Sequence, residues 1–201
     1  KLAFCPGVTD RQKLNFYRVL LLLGDAGGDI GKALVVDLMT GEIQINVEFD
    51  PTKPPNVTDL DKPRKRHLVL PDHPGYLVPP ETRMKNAQDT LRKIESLRHV
   101  VELWTPVGST GSPDARNALA ALRKTFLANA AKEDGPLYQC DPMTAAVVIL
   151  GHELGHAIIG LHDPGSNPRT LGAEWGGNVT LVENPLRALF GIPARETQNG
   201  I

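Results

Sequence analysis

The residues best equipped for chemistry in this chain are His152-Glu153-Leu154-Gly155-His156. Four residues advance an α-helix by about one turn, so two imidazoles at this spacing leave the same face and can share one Zn²⁺. The carboxylate of Glu153, beside them, can take a proton from water activated by the metal and pass it to a leaving amine. From Met143 to Ile159 the chain is apolar except for Thr144 and this segment, which predicts a helix buried almost all round. Titratable groups inside such a helix are costly unless a metal or a partner compensates them. Asp141 is placed to cap that helix, Pro142 suits its first position, and Gly160 ends it.

Two histidines and a general base leave the zinc one protein ligand short. His162 lies ten residues after His152, the spacing of the third ligand in the H-E-x-x-H-x-x-G-x-x-H motif of metzincins. Here, however, the glycine is Gly160, one place late, and Met39, Met84 and Met143 all precede the motif, so no methionine turn follows it. The rival is Glu183, thirty-one residues beyond His152, on a helix predicted over Val179 to Leu189. A carboxylate from a second helix is the gluzincin solution, and a His/His/Glu set suits catalytic zinc. Glu183 is the expected third ligand and His162 the alternative; Glu174 and Glu196 fall in irregular segments and rank below both.

The motif, followed by Glu183-Asn184-Pro185-Leu186-Arg187 and then Gly191-Ile192-Pro193-Ala194-Arg195, resembles the NleD-like bacterial effector metallopeptidases. Similar domains occur at the C-termini of Rhs toxins and of type VI secretion VgrG spike proteins. The resemblance covers about residues 141 to 196, and its discriminating part is Glu-Asn-x-x-Arg followed by Gly-x-Pro-x-Arg. It implies that His152, His156 and Glu183 hold zinc, that Glu153 is the base, and that Arg187 and Arg195 support the site. It further implies a toxin secreted or delivered into a target cell, a protein or peptide substrate, and a secretion spike or a cognate immunity protein as partners. No tyrosine follows Tyr138, so the family's downstream aromatic residue has no counterpart here.

The elements that must position these residues are read as α+β: a small sheet packed on the buried motif helix, a zincin-like metallopeptidase in a single domain over residues 1–201. Residues 11 to 23 predict a helix that stops in the breaker cluster Gly24 to Asp29. Ala33 to Leu38 and Glu42 to Phe49 flank Thr40-Gly41 and read as a β-hairpin. Residues 50 to 81 are proline-rich and irregular, with a short strand at His67 to Leu70. Helical spacing returns over 83 to 99, a strand is expected at Val100 to Leu103, and a helix over Asp114 to Ala131. Loops 50 to 81 and 163 to 178 are the expected walls of a substrate cleft.

The 201 residues carry 22 Lys plus Arg against 23 Asp plus Glu, a net charge of -1 that gives no basis for bulk binding to nucleic acid or anionic lipid. The longest apolar runs, Val19 to Leu23 and Ala145 to Leu150, are too short to span a bilayer. Lys1 in place of an initiator Met fits a processed chain or a piece of a larger one. Cys5 and Cys140 have no metal-ribbon or redox spacing, and a bridge between them is left open. Gly24 to Lys32 fails as a phosphate loop because Ala26 and Ala33 occupy obligatory positions. Arg64-Lys65-Arg66 reads as a solvated loop, and the triplets beginning at Asn56 and Asn178 as chance glycosylation patterns. A zinc-dependent peptidase is the expectation. The alternatives are a zinc-binding module that sequesters a target protein without cutting it, and a structural adaptor; Glu153 favours the enzyme, since a purely structural zinc has no use for a base.

Overall fold

The computed structural model describes residues 1–89, 92, 135–161 and 177–195. The chain divides into two compact units, Lys1–Val78 with Asp134–Ile201, and Pro79–Glu133. The first unit is an α+β fold with a small mixed sheet. Strands β1 (Leu2–Phe4), β2 (Gln44–Phe49), β3 (Asn56–Thr58) and β4 (Lys65–Leu70) lie in the order β1-β2-β4-β3. The first three in that order run parallel, and β3 closes the edge antiparallel to β4.

Between β1 and β2 come two helices rather than one. Helix α1 (Asp10–Ala26) opens with a capping box, in which the Thr9 side chain accepts from Gln12 N–H and the Gln12 side chain accepts from Thr9 N–H. Its buried Phe16, Val19, Leu20 and Leu23 fall at the spacing of one helical face. The glycine-rich stretch after it is a corner, and α2 (Gly28–Thr40) starts at once. The expected hairpin is therefore corrected: only its second arm is a strand, and Ala33 to Leu38 is helical. That short apolar run has no strict alternation, and Gly31, Leu34 and Leu38 are its buried positions, spaced for a helix packed on α1. The proline-rich stretch holds β3 and all of β4, which sits inside the sheet with Leu68 and Leu70 fully buried.

The motif helix forms as expected. After helix α3, over 80–89, comes helix α4 (Pro142–Leu154), which Asp141 caps by accepting from Met143 N–H at 2.9 Å and Thr144 N–H at 3.2 Å. It continues as one π-helical stretch, Gly155–Ile159, and ends at Gly160 in the left-handed region with φ 75°. Packed against it are α1, α2, the Pro74–Tyr76 turn and the closing segment, a π-helical turn Val179–Glu183 leading into α5 (Asn184–Leu189). The inner face of the sheet, with Ile45, Val47 and Leu68, joins the same hydrophobic core as Val147, Leu150 and Leu154. By length and composition alone Pro142–Ile159 could cross a membrane, unlike the shorter runs read from the sequence, but 67% of it is buried in the core. Cys5 and Cys140 are both free thiols.

In the second unit the described residues form a helix, α3, over 80–89. The rest of the helix expected to 99, the strand at Val100 to Leu103 and the helix from Asp114 to Ala131 lie outside the described residues, as do His162, Glu174 and Glu196.

Candidate metal centre

The site is assembled by a close crossing of two helical segments. An ideal Cβ on Gly155 would come within 1.9 Å of Asn178 Oδ1, and one on Gly151 within 2.3 Å of Leu186 Cδ1. These two glycines, one turn apart on α4 and its extension, let the closing segment lie directly against the motif helix. Asn178 is fully buried there and donates from Nδ2 to the carbonyl of His152 at 2.7 Å. Its place in a glycosylation triplet is thus irrelevant to its role.

The two imidazoles stand edge to face, with ring centroids 4.7 Å apart and planes at 85°. Their Nε2 atoms are 3.1 Å apart. Each Nδ1 faces an acceptor: His156 Nδ1 donates to the carbonyl of Leu161 at 2.5 Å, and His152 Nδ1 makes a close ion-pair contact with Glu183 Oε2 at 2.8 Å. A carbonyl or an ionised carboxylate can only accept, so each ring that faces one carries a proton on Nδ1. At this separation the two Nε2 atoms can share either a proton or a metal cation. Two nitrogens on a tetrahedral zinc, at bonds of about 2.0–2.1 Å, would be about 3.3 Å apart, so the pair fits that ion with a shift of tenths of an ångström.

Glu183 meets His152 at its other ring nitrogen, Nδ1. Its carboxylate is only 3% exposed by residue and is clasped by two guanidinium groups. Arg187 Nε donates to Oε1 at 2.7 Å and Arg195 Nη1 to Oε2 at 2.9 Å. Asn184 braces the second arginine: Arg195 N–H donates to its Oδ1 at 2.7 Å, and its Nδ2 donates to the Arg195 carbonyl at 3.2 Å. Burial pushes the Glu183 pKa up, but the hydrogen bond from His152 and the charges of His152, Arg195 and Arg187 outweigh it and hold the group at about 2. The structure therefore brings His152, His156 and Glu183 together, and Glu153, next to His152 in the chain, is only 6% exposed on the motif helix. It does not converge the donor atoms of His152, His156 and Glu183 on one point. Among the described residues, the three-donor set whose ligand atoms all lie within 4.8 Å of one another is Cys5, Glu48 and His67.

A cleft of about 750 Å³ lies elsewhere, between Arg11, Asn15 and Arg18 of α1, the Pro71–Tyr76 loop and Met143 of α4. Met143 and His152 are nine residues apart, which places them on opposite faces of a helix with about 3.6 residues per turn. The residues from 71 to 76 do wall a cleft, but it opens on the side of α4 away from His152.

No family model matches the chain, and no curated protein or solved structure matches it.

Proposed function

We propose that the chain is a zincin-like zinc metallopeptidase that cuts peptide bonds, of the NleD-like effector type that its motif residues resemble. The observation that carries this reading is the pair of Nε2 atoms 3.1 Å apart, each ring with its Nδ1 against an acceptor, on a helix that also buries Glu153. His152 and His156 would hold one zinc. When bound, that ion supplies Lewis acidity, which lowers the pKa of water and polarises a scissile carbonyl. Glu153 takes the proton of the attacking water and delivers it to the leaving amine. Glu183, reaching the far nitrogen of His152, orients that ring and keeps its tautomer, the work a carboxylate commonly does behind a metal-binding histidine. In that role the third protein ligand falls to another residue, and His162 is the candidate the sequence offers.

Action inside a target cell, delivery by a secretion spike and neutralisation by an immunity protein belong to the same proposal and rest on the motif resemblance alone. The test is to incubate a target-cell proteome with wild-type protein and with Glu153→Gln, then map new N-termini. Wild-type protein should generate cleavages that Glu153→Gln does not, while both retain zinc, and a His152→Ala/His156→Ala variant should lose one equivalent of zinc per chain. Cleavage by Glu153→Gln at the wild-type rate, or unchanged zinc in the double variant, would sink the reading.

A further inference from the structure

The outer face of the sheet carries a cluster of side chains that the motif helix does not explain. Along β2 the residues alternate: Ile45, Val47 and Phe49 face the core, while Asn46 and Glu48 face away. On β4, Leu68 and Leu70 face the core and His67 faces away. Cys5 follows directly after β1 and is tied to β2 by its N–H donating to the Val47 carbonyl at 2.9 Å. Because Phe4 pairs with Val47 and Asn46 with His67, strands β2 and β4 and the residue just past β1 each present one donor side by side. His67 Nε2 is 2.9 Å from Glu48 Oε2 and 3.8 Å from Cys5 Sγ.

Two chemistries use cysteine, histidine and a carboxylate together. A nucleophilic cysteine needs the carboxylate on one ring nitrogen of the histidine and the thiol on the other, so that the ring can relay a proton. Here Glu48 and Cys5 both approach Nε2, which defeats that relay. Three such donor atoms within 4.8 Å of one another can instead share one metal ion. Sulfur and nitrogen on a tetrahedral zinc, at bonds of about 2.3 and 2.0–2.1 Å, would be about 3.6 Å apart, close to the spacing found.

We propose that Cys5, Glu48 and His67 form a second metal site, for a divalent transition ion such as zinc or cobalt. A thiolate, an imidazole and a carboxylate select such ions over magnesium or calcium, which take oxygen donors. On binding, the Cys5 S–H bond breaks, its proton goes to solvent, and a sulfur–metal bond forms. The side chains of His67 and Glu48 remain 32% and 35% exposed, which leaves the fourth position open to water. The site shares no residue with the motif helix and stands independently of the peptidase reading.

Cobalt(II) titration of the full chain tests it, because cobalt bound by a thiolate absorbs in the near ultraviolet and the motif site offers no sulfur. Within two equivalents of cobalt the wild-type protein should develop this band with an amplitude of one site. The band should persist in His152→Ala/His156→Ala and in Cys140→Ser, and vanish in Cys5→Ser. Glu48→Gln, which keeps shape and an oxygen, should weaken cobalt binding by at least about tenfold, and it serves if Cys5→Ser does not fold. A wild-type protein without the band, a band surviving in Cys5→Ser, or Glu48→Gln binding as tightly as wild type would overturn the site. Loss of zinc at the motif helix would leave all of these outcomes unchanged.

Discussion

Glu183 makes more contacts than a metal ligand needs, and they define an experiment. Its two oxygens meet Arg187, Arg195 and His152, and Arg187 is itself only 2% exposed. Removing the carboxylate leaves a buried guanidinium without its counter-charge, a change that costs about 3–5 kcal/mol when one partner of such a pair is deleted. Glu183→Ala should therefore lower the unfolding free energy of the zinc-free protein by about that much in a denaturant titration. A carboxylate that served only the metal would leave zinc-free stability unchanged. Glu183→Gln keeps an acceptor for His152 Nδ1 and should weaken zinc binding by about ten- to hundredfold, the range for groups that orient a ligand. Zinc binding abolished as completely as in His156→Ala would return Glu183 to the metal itself.

At the scale of elements, the motif helix depends on how its two ends and its flank are made. The flank tolerates no side chain at Gly155, where a Cβ would collide with buried Asn178 and crowd Val182. Gly155→Ala should destabilise the fold by about 1–3 kcal/mol, the usual cost of overpacking, and thermal unfolding measures it. It should also loosen the closing segment and so weaken zinc binding, because that segment carries Glu183. The N-terminus depends on Asp141, whose pKa is lowered mainly by the hydrogen bond from Thr144 and opposed by slight desolvation. A carboxylate with a depressed folded pKa stabilises fully above its unfolded pKa of about 3.9, and the gain is lost as pH falls through the folded value. Asp141→Ala should cost about 1 kcal/mol at neutral pH. The difference between mutant and wild type should shrink in unfolding experiments carried progressively below pH 4.

For the molecule as a whole, local features were legible in the sequence and relational ones were not. The motif helix, its Asp141-Pro142 start, its Gly160 end and the final helix all rest on residues within a turn or two of each other, where spacing and capping chemistry act. Ala33 to Leu38 reads as a strand and folds as a helix because a six-residue apolar run has no period long enough to separate the two, and its partner α1 decides. Strand β1 is three residues long and exists only by pairing with β2. The roles of Gly151 and Asn178 are likewise invisible in sequence, since each is defined by what crosses it. The same holds for Glu183: spacing placed it near the histidines, but which ring edge it meets is a matter of how two helices cross. Cys5, Glu48 and His67 are far apart in the chain and meet only through parallel register.

The left-handed turn at Gly160 makes the tautomer of one histidine depend on chirality. It is this turn that carries the Leu161 carbonyl back over His156, whose Nδ1 proton it then holds. A Cβ at position 160 would meet nothing within 4 Å, so a substitution there is opposed by backbone handedness alone. Gly160→Ala should cost about 1–2 kcal/mol, and Gly160→Asn less, because asparagine enters the left-handed region more readily. If the carbonyl is what keeps Nε2 of His156 available, zinc affinity should follow the same order, glycine above asparagine above alanine. A ranking of stability without a matching ranking of affinity would separate the shape of the helix end from the state of the ring.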